Sequence, residues 1–171
     1  ISFNRRFKIG YFGSISPSKG INTLIKLSKI DQENDYYIYG GSKEQINKIK
    51  KRNINKNLFL NESVPFAGLS KIMLKMDILT IPYTKIIRSV GEVDEISKYT
   101  SPLKLFDYLA VGKIIISSDL KVLREVISSN NAYFVNNFEN IFEWKKNILI
   151  AKNSKKKTFI MSKNNLKLSK E

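Results

Sequence analysis

The segment FKIGYFGSISPSKGINTLIKLSKI, residues 7–30, decides the fold. Residues 7–13 form a short apolar run that ends at a glycine, which is typical of a strand buried on both faces. A loop of small polar residues follows, and residues 21–30 then place Ile21, Leu24 and Ile25 at helical spacing. The segment therefore predicts a β-strand, a loop and an α-helix in succession.

The same alternation continues along the chain. Helical patterns alternate with five further apolar runs of strand length, at residues 36–41, 57–61, 77–83, 113–118 and 132–135. Strands that alternate with helices form parallel sheets with crossover connections. The sequence therefore predicts an α/β fold with one Rossmann-like, doubly wound parallel sheet of about six strands. Residues 84–100 show no steady period and are predicted to form an ordered loop.

The composition limits the chemistry that the chain can perform. It contains no cysteine, which excludes disulfides and thiolate metal sites, and no histidine, the commonest general base. Glu92, Asp94 and Glu95 lie in the 84–100 loop without supporting ligands, so we interpret them as solvated charges and expect no metal site. Chemistry must therefore use carboxylates, lysines, hydroxyls or backbone groups.

The chain carries a net charge of +15, from 30 basic and 15 acidic residues. This excess indicates an anionic partner: nucleic acid, an acidic membrane surface or a phosphate-bearing ligand. The alternative is a composition bias, because Ile, Lys and Asn are all abundant and the lysines are scattered. No apolar run reaches the length of a membrane span, and the first residues show no signal-peptide pattern. Because the chain starts at Ile1, we expect it to be part of a longer protein.

The C-terminal region shows a change of composition. Trp144 and Phe142 lie at helical core spacing, and residues 152–157 (KNSKKK) are predicted to be a charged break before a last helix. We therefore divide the chain into a ligand-binding domain, residues 1–151, and a basic break with a C-terminal helix, residues 152–171.

The stretch KYTSPLKLFDYLAVGK, residues 98–113, contains the first candidate site. Ser101 suits an N-cap and Pro102 suits the first helical position, so Leu103 and Lys104 would present free backbone N–H groups at the positive end of the helix. Asp107 lies on the same face as Lys104 and could accept hydrogen bonds from a ribose diol. This pattern fits a nucleotide. The alternative is a capped surface helix with a Lys104–Asp107 ion pair.

Two glycine-containing loops follow the first two predicted strands. Gly13 and Gly20 bracket a loop in which Lys19 is the sole charge, and Gly40 and Gly41 end the second strand. Glycine allows a phosphate to approach the backbone closely, although neither loop matches a dinucleotide fingerprint or a P-loop. Ordinary strand-to-helix turns are the alternative for each loop alone. Since ligands bind at the carboxyl ends of parallel strands, all three segments are predicted to meet at one edge.

Several segments of the sequence, in their order along the chain, resemble the C-terminal domain of family 4 retaining glycosyltransferases. These proteins have the GT-B architecture of two facing Rossmann-like domains. The resemblance covers residues 8–151, and its most distinctive part is SPLKLFDYLAVGK followed by SSDL and REV. The segments are YFGSISPSKGINTLI, YYIYGGSKE, ESVPFAGLSKIMLKMDILTIPY and SPLKLFDYLAVGKIIISSDLKVLREVI.

The resemblance implies that this domain binds a nucleoside-diphosphate sugar. The glycine loop with Gly13 and Lys19 would face the diphosphate, as would the backbone of Ser101, Pro102, Leu103 and Lys104. The loop with Gly40, Gly41 and Ser42 would border the nucleotide. The base would lie near Ser63 and Val64, and Asp107 would stand where the family has a glutamate on the ribose hydroxyls.

Two positions depart from the family's pattern. Ser14 stands where the family has an arginine, so one positive charge near the phosphate is absent. Tyr99 stands where the family has the first glutamate of a pair, a position that normally supports the sugar. Glu92 or Glu95 could take over that role. The resemblance also implies that an N-terminal, acceptor-binding domain is missing and that the final helix crosses back to it.

These inferences lead to one main functional expectation and two alternatives. We expect the donor domain of a glycosyltransferase, a hexosyltransferase in type, with Lys19 and Lys104 as catalytic groups and no cofactor or metal. Its acceptor would be a surface glycan or lipid-linked sugar, in the cytoplasm at the inner face of the membrane, and the fragment alone would be inactive. The alternatives are a basic α/β module that binds nucleic acid or an acidic membrane, and a degenerate, non-catalytic transferase relative. No specific nucleic-acid partner is expected under the main interpretation.

Overall fold

The computed structural model describes residues 5–52, 55–84 and 103–171. Within these residues six strands form one sheet, in the order β3-β2-β1-β4-β5-β6, and every pairing is parallel. The predicted fold class is therefore confirmed. The strands are β1 (Lys8–Phe12), β2 (Asp35–Gly41), β3 (Leu58–Glu62), β4 (Ile78–Ile81), β5 (Ile114–Ser118) and β6 (Ala132–Val135).

The helices cover both faces of the sheet. Helices α3, α4 and α5 contribute to the core on one face, and α1, α2 and α6 contribute to the core on the other. The strand order reverses between β1 and β4, so the carboxyl ends of these two strands form the switch point of the sheet. The helices are α1 (Ile21–Ile30), α2 (Lys43–Lys50), α3 (Phe66–Met73), α4 (Leu103–Ala110), α5 (Lys121–Arg124), α6 (Ile141–Asn153) and α7 (Lys155–Leu168).

Strand β1 shows why the sheet needs both helical layers. Ile9 and Tyr11 are buried on the face of α1, whereas Phe12 is buried on the face of α3 and α4. Gly10 shares that second face, and a Cβ there would lie 2.6 Å from the side chain of Met76. Because successive residues point to opposite faces, an apolar strand of this kind is stable only between two layers.

The C-terminal helices differ from the prediction in two places. Trp144 is fully buried, but Phe142 is 68% exposed, because the row that faces the sheet is Trp144, Ile148 and Ala151. The expected charged break at residues 152–157 is also too long. Helix α6 continues to Asn153 and α7 begins at Lys155, so Ser154 alone separates the two helices. The lysines continue the helix because lysine is a good helix former when its side chain is solvated.

Helix α7 packs across the amino ends of β5 and β6. The buried Asn165 donates hydrogen bonds of 3.0 Å to the carbonyl oxygens of Lys113 and Asn131, which immediately precede those strands. Ser162 donates to the carbonyl of Gly112. Helix α7 is therefore part of this domain's core, at the edge opposite the carboxyl ends of the strands. Among the described helices, none is long and apolar enough to cross a bilayer.

Candidate functional site

A cleft of about 410 Å³ opens at the carboxyl ends of β1 and β2, beside the switch point of the sheet. This is the edge at which parallel α/β sheets bind ligands. Most of the predicted site residues that the structure describes line it. The lining consists of Phe12, Gly13, Ser14, Tyr39, Gly40, Ser63, Val64, Leu69, Met73, Lys104 and Asp107.

Two glycines allow the ends of β1 and β2 to lie very close together. The N–H of Gly13 donates a 2.8 Å hydrogen bond to the carbonyl of Tyr39, which extends the pairing beyond β1. Gly40 has a φ of +136°, and a Cβ there would overlap the carbonyl of Gly13. Gly13 has a φ of +144°, and a Cβ there would lie 2.5 Å from the Nζ of Lys104. Gly40 therefore lets the two strand ends approach each other, and Gly13 leaves room for an ammonium group at the end of β1.

Helix α4 holds Lys104 in this position. One turn after Lys104, the buried Tyr108 accepts a 3.0 Å hydrogen bond from the N–H of Phe12, and its hydroxyl lies 3.4 Å from the carbonyl of Thr80. The Nζ of Lys104 lies 3.8 Å from the ring centroid of Tyr11, a cation–π contact. Burial of the ammonium lowers the pKa of Lys104 well below its ordinary value.

Lys19 approaches the same region from a short 3-10 turn. The N–H and hydroxyl of Thr84, just beyond β4, both donate to the carbonyl of Ser18, which fixes this turn against the end of β4. The ring of Tyr83 then lies 4.7 Å from the Nζ of Lys19 and 5.1 Å from the Nζ of Lys104. The charge of Lys19 lowers the pKa of Lys104 further. The two lysines therefore form one electrostatic group, with an aromatic ring beside both.

Asp107 lies three residues after Lys104 and lines the same cleft. Partial burial raises the pKa of its carboxyl group. Among the residues that the structure describes, Lys104 and Asp107 form no salt bridge with each other. The arrangement thus favours two separate groups facing one cleft over the surface ion pair that the sequence left as an alternative.

Besides Lys19, three of the predicted residues that the structure describes lie beside the cleft lining and are not part of it. Gly41 is buried, and a Cβ there would meet the side chain of Ile15. Ser42 is the N-cap of α2 and accepts a 3.2 Å hydrogen bond from the N–H of Gln45. Leu103 begins the described part of α4 with its side chain 70% exposed. A backbone role for these residues stays a prediction.

Other predictions fall outside the described residues, namely those for Tyr99, Ser101 and Pro102 and for the acidic residues of the 84–100 loop. Within the described ranges, no group of three His, Cys, Asp or Glu side chains is placed to hold a metal ion.

The sequence did not indicate the aromatic residues of the site. Phe12 and Tyr39 line the cleft as a stacked pair, with ring centroids 4.9 Å apart. Tyr11 and Tyr83 contact the ammonium groups, and burial raises the pKa of Tyr83 to about 12, so its phenol stays neutral. The one local signal is position: Phe12 and Tyr39 each directly precede a glycine at the end of a strand.

The fold is shared with known structures of low sequence identity. A structure of Anabaena Alr3699/HepE in complex with UDP and glucose superposes with a TM-score of 0.73 at 15% identity, covering 96% of this chain and 43% of that one. Sucrose-phosphate synthase (tll1590) from Thermosynechococcus elongatus gives a TM-score of 0.76 at 15% identity, covering 98% of this chain and 41% of that one. The chain thus spans less than half the length of these proteins.

A third structure matches most of its own length. It is the C-terminal domain of a glycosyl transferase group 1 family protein (LpcC) from Francisella tularensis, with a TM-score of 0.69 at 16% identity, covering 96% of this chain and 84% of that domain. The chain therefore has the fold of the C-terminal, Rossmann-like half of a GT-B protein.

Sequence comparison places the chain in a family. No curated protein sequence shows significant similarity to it. The sequence model of the family described as glycosyl transferases group 1, however, matches residues 2–168, which is nearly the whole chain. The chain therefore belongs to the glycosyl transferases group 1 family.

Proposed function

We propose that this chain is the donor-binding half of a retaining, family 4 glycosyltransferase that transfers a sugar from a nucleoside diphosphate. The observation that carries the proposal is the approach of the Lys104 ammonium to Gly13 at the carboxyl end of β1, inside a cleft. Proteins of the same fold have been captured with UDP and with UDP-glucose. The family match supports the same chemistry.

In the proposed mechanism the chain stabilises the leaving group. The bond between the anomeric carbon and the diphosphate oxygen breaks, the electron pair stays on that oxygen, and the diphosphate gains negative charge. Lys104, Lys19 and the first turn of α4 would balance this charge from fixed positions, which is the most effective form of electrostatic catalysis. Two ammonium groups supply the positive charge, so the proposed mechanism uses neither a metal ion nor a histidine in this half.

The remaining lining residues would hold the nucleoside. We propose that the carboxyl group of Asp107 accepts hydrogen bonds from the ribose hydroxyls and that the base lies near Ser63 and Val64. The stacked rings of Phe12 and Tyr39 form an apolar wall of the same cleft, where a nucleoside can exclude water.

The acceptor side is proposed to lie outside this chain. An N-terminal, acceptor-binding domain would face the cleft and place a glycan or lipid-linked acceptor against the sugar, in the cytoplasm at the inner face of the membrane. The support is the greater length of the proteins that share the fold. This chain alone would then bind nucleotide weakly and transfer little sugar.

Calorimetry with UDP and GDP tests the donor site. We expect measurable binding of at least one of the two diphosphates, and loss of that binding in Lys104→Ala. The absence of both heat and a thermal shift, with either nucleotide at millimolar concentration, would contradict a donor site.

A second candidate is a non-catalytic relative that retains the fold. The observation that favours it is Ser14, which lines the cleft at the position where the resemblance expects an arginine. If the protein is catalytic as it stands, full-length protein will turn over a sugar nucleotide. If it is degenerate, turnover will be absent and will stay absent in a Tyr99→Glu variant.

A further inference from the structure

The positive charge of the chain is concentrated in its C-terminal helices. Residues 144–170 contain nine lysines and no acidic residue, whereas the other 144 residues contain 21 basic and 15 acidic residues. A uniform composition bias does not explain this difference. The nine are Lys145, Lys146, Lys152, Lys155, Lys156, Lys157, Lys163, Lys167 and Lys170.

Helix α7 turns a mixed basic and apolar face outward. Met161 and Asn165 are buried on the domain side, so positions 156, 159, 160 and 163 lie together on the other side of the helix. Phe159 is 60% exposed and Ile160 is 49% exposed. The Nζ of Lys163 lies 4.6 Å from the ring centroid of Phe159. We call Lys156, Phe159, Ile160 and Lys163 the α7 face.

A concave surface adjoins this face. Residues Lys155–Lys157 and Ile160 line a cavity of about 620 Å³ at the junction of α6 and α7. Asn153 of α6 also lines it, and Leu149 and Ile150, one turn earlier on α6, are exposed apolar residues. Lysines and exposed apolar side chains are thus interleaved over two helices.

We propose that the α7 face docks this protein on a membrane that contains anionic phospholipids. Lysines beside exposed Phe, Leu or Ile are the pattern of a helix that lies in the membrane interface, where the apolar side chains enter the acyl boundary and the ammonium groups meet phosphate. Exposed apolar side chains gain nothing from a dissolved anion, and duplex nucleic acid would satisfy the lysines alone.

The geometry suits such a role. Helix α7 is fixed to the domain by the hydrogen bonds of Asn165, so docking needs no rearrangement of the fold. It crosses the amino ends of β5 and β6, whereas the candidate cleft lies at the carboxyl ends of the strands. A docked protein would therefore keep its cleft open. The proposal supplies a surface for the membrane location given under the proposed function, and it does not depend on the donor site.

Vesicle flotation of the full-length protein tests the proposal. We expect binding to vesicles of phosphatidylcholine with phosphatidylglycerol, and little binding to phosphatidylcholine alone. Replacing Lys156 and Lys163 by glutamine should weaken partitioning by roughly fivefold per lysine, and Phe159→Ser by roughly five- to tenfold. Replacing Lys71 and Lys75, two exposed lysines on and just beyond α3, removes the same charge and should change partitioning by less than about twofold.

Three results would overturn the proposal. The first is that the full-length protein does not bind anionic vesicles. The second is that the control pair and the α7 pair of substitutions weaken vesicle binding equally, and the third is that Phe159→Ser leaves vesicle binding unchanged. A duplex oligonucleotide assay provides the competing outcome: sensitivity of nucleic-acid binding to the α7 lysines, without vesicle binding, would assign the face to nucleic acid. Circular dichroism and thermal melting confirm that each variant is folded, and Phe159 and Lys163 are exposed enough to be replaced.

Discussion

Replacing Lys104 by methionine should separate nucleotide binding from stability. Methionine keeps most of the length and apolar volume of the lysine stem but removes the ammonium that lies against Gly13. If that ammonium contacts the diphosphate, the variant loses a charge-assisted hydrogen bond while the packing of α4, held by the hydroxyl of Tyr108, is retained.

The size of the effect follows from the enclosed position of the ammonium. A hydrogen bond to a charged group contributes about 1.5–3 kcal/mol, and each 1.4 kcal/mol is a tenfold change in affinity. We therefore expect Lys104→Met to weaken UDP binding by about 10- to 150-fold. Because burial and Lys19 disfavour the charged form of Lys104, the unfolding free energy of the variant at neutral pH should stay equal or rise.

Isothermal titration calorimetry with UDP measures the affinity, and urea unfolding measures the stability. Lys71→Met is the matched control, since Lys71 is an exposed lysine on α3 and is not part of the cleft lining. It should leave both quantities unchanged. An affinity of Lys104→Met within twofold of the parent protein would refute the assignment of Lys104 to the diphosphate. A large loss of stability would show that the ammonium has a structural role instead.

Four further outcomes are expected. Asp107→Ala should weaken UDP by roughly tenfold and leave the affinity for inorganic pyrophosphate unchanged, and calorimetry that finds equal losses would contradict a ribose contact. Gly40→Ala should lower the unfolding free energy by about 1–3 kcal/mol in urea titrations, because the residue has a positive φ and its Cβ would overlap the Gly13 carbonyl; an unchanged midpoint would refute this. Burial lowers the pKa of Lys104 in the folded protein below its ordinary value of 10.5. At a pH between the folded-state pKa and 10.5, the unfolded chain therefore binds more protons than the folded chain does. Urea unfolding at increasing pH should therefore show the parent protein gaining stability relative to Lys104→Met, and a decreasing difference would contradict the pKa shift. Asn165→Ala should lower the unfolding free energy by about 2–4 kcal/mol, since the carbonyl groups of Lys113 and Asn131 lose their donor, and thermal melting that shows no change would be inconsistent with the packing of α7.

The fold could be predicted because its signals are local. The inner strands β1, β4 and β5 are buried on both faces, so segments such as residues 114–116 appear as continuous apolar runs with a helix on either side. Once the elements alternate, parallel pairing and crossover connections leave few topologies. The strand order itself was not visible in the sequence, because it depends on which runs pair across the sheet.

The glycines and the lysines of the site could also be predicted in part. Gly13, Gly40 and Lys104 come from different segments, and the rule that ligands bind at the carboxyl ends of strands was enough to bring them together. The rule does not distinguish residues within a loop. Gly41 and Ser42 follow Gly40 directly, yet one packs against Ile15 and the other caps α2.

The aromatic contacts could not be predicted because they are tertiary. Tyr83 and Lys19 are separated by more than sixty positions and meet through the turn that Thr84 fixes. In the same way, Phe142 and Trp144 have similar local patterns, and only the packing of α6 on the sheet buries one of them. The lysines at 155–157 wrongly predict a break, because charge indicates solvent exposure but not the local backbone conformation.

The most direct test of the donor site is a crystal structure of the protein with UDP. We predict that the diphosphate lies at the carboxyl end of β1, with a phosphate oxygen about 3 Å from the Nζ of Lys104 and the ribose beside Asp107. A structure in which the cleft is empty and the diphosphate binds elsewhere, for example among Lys155–Lys157, would contradict the assignment.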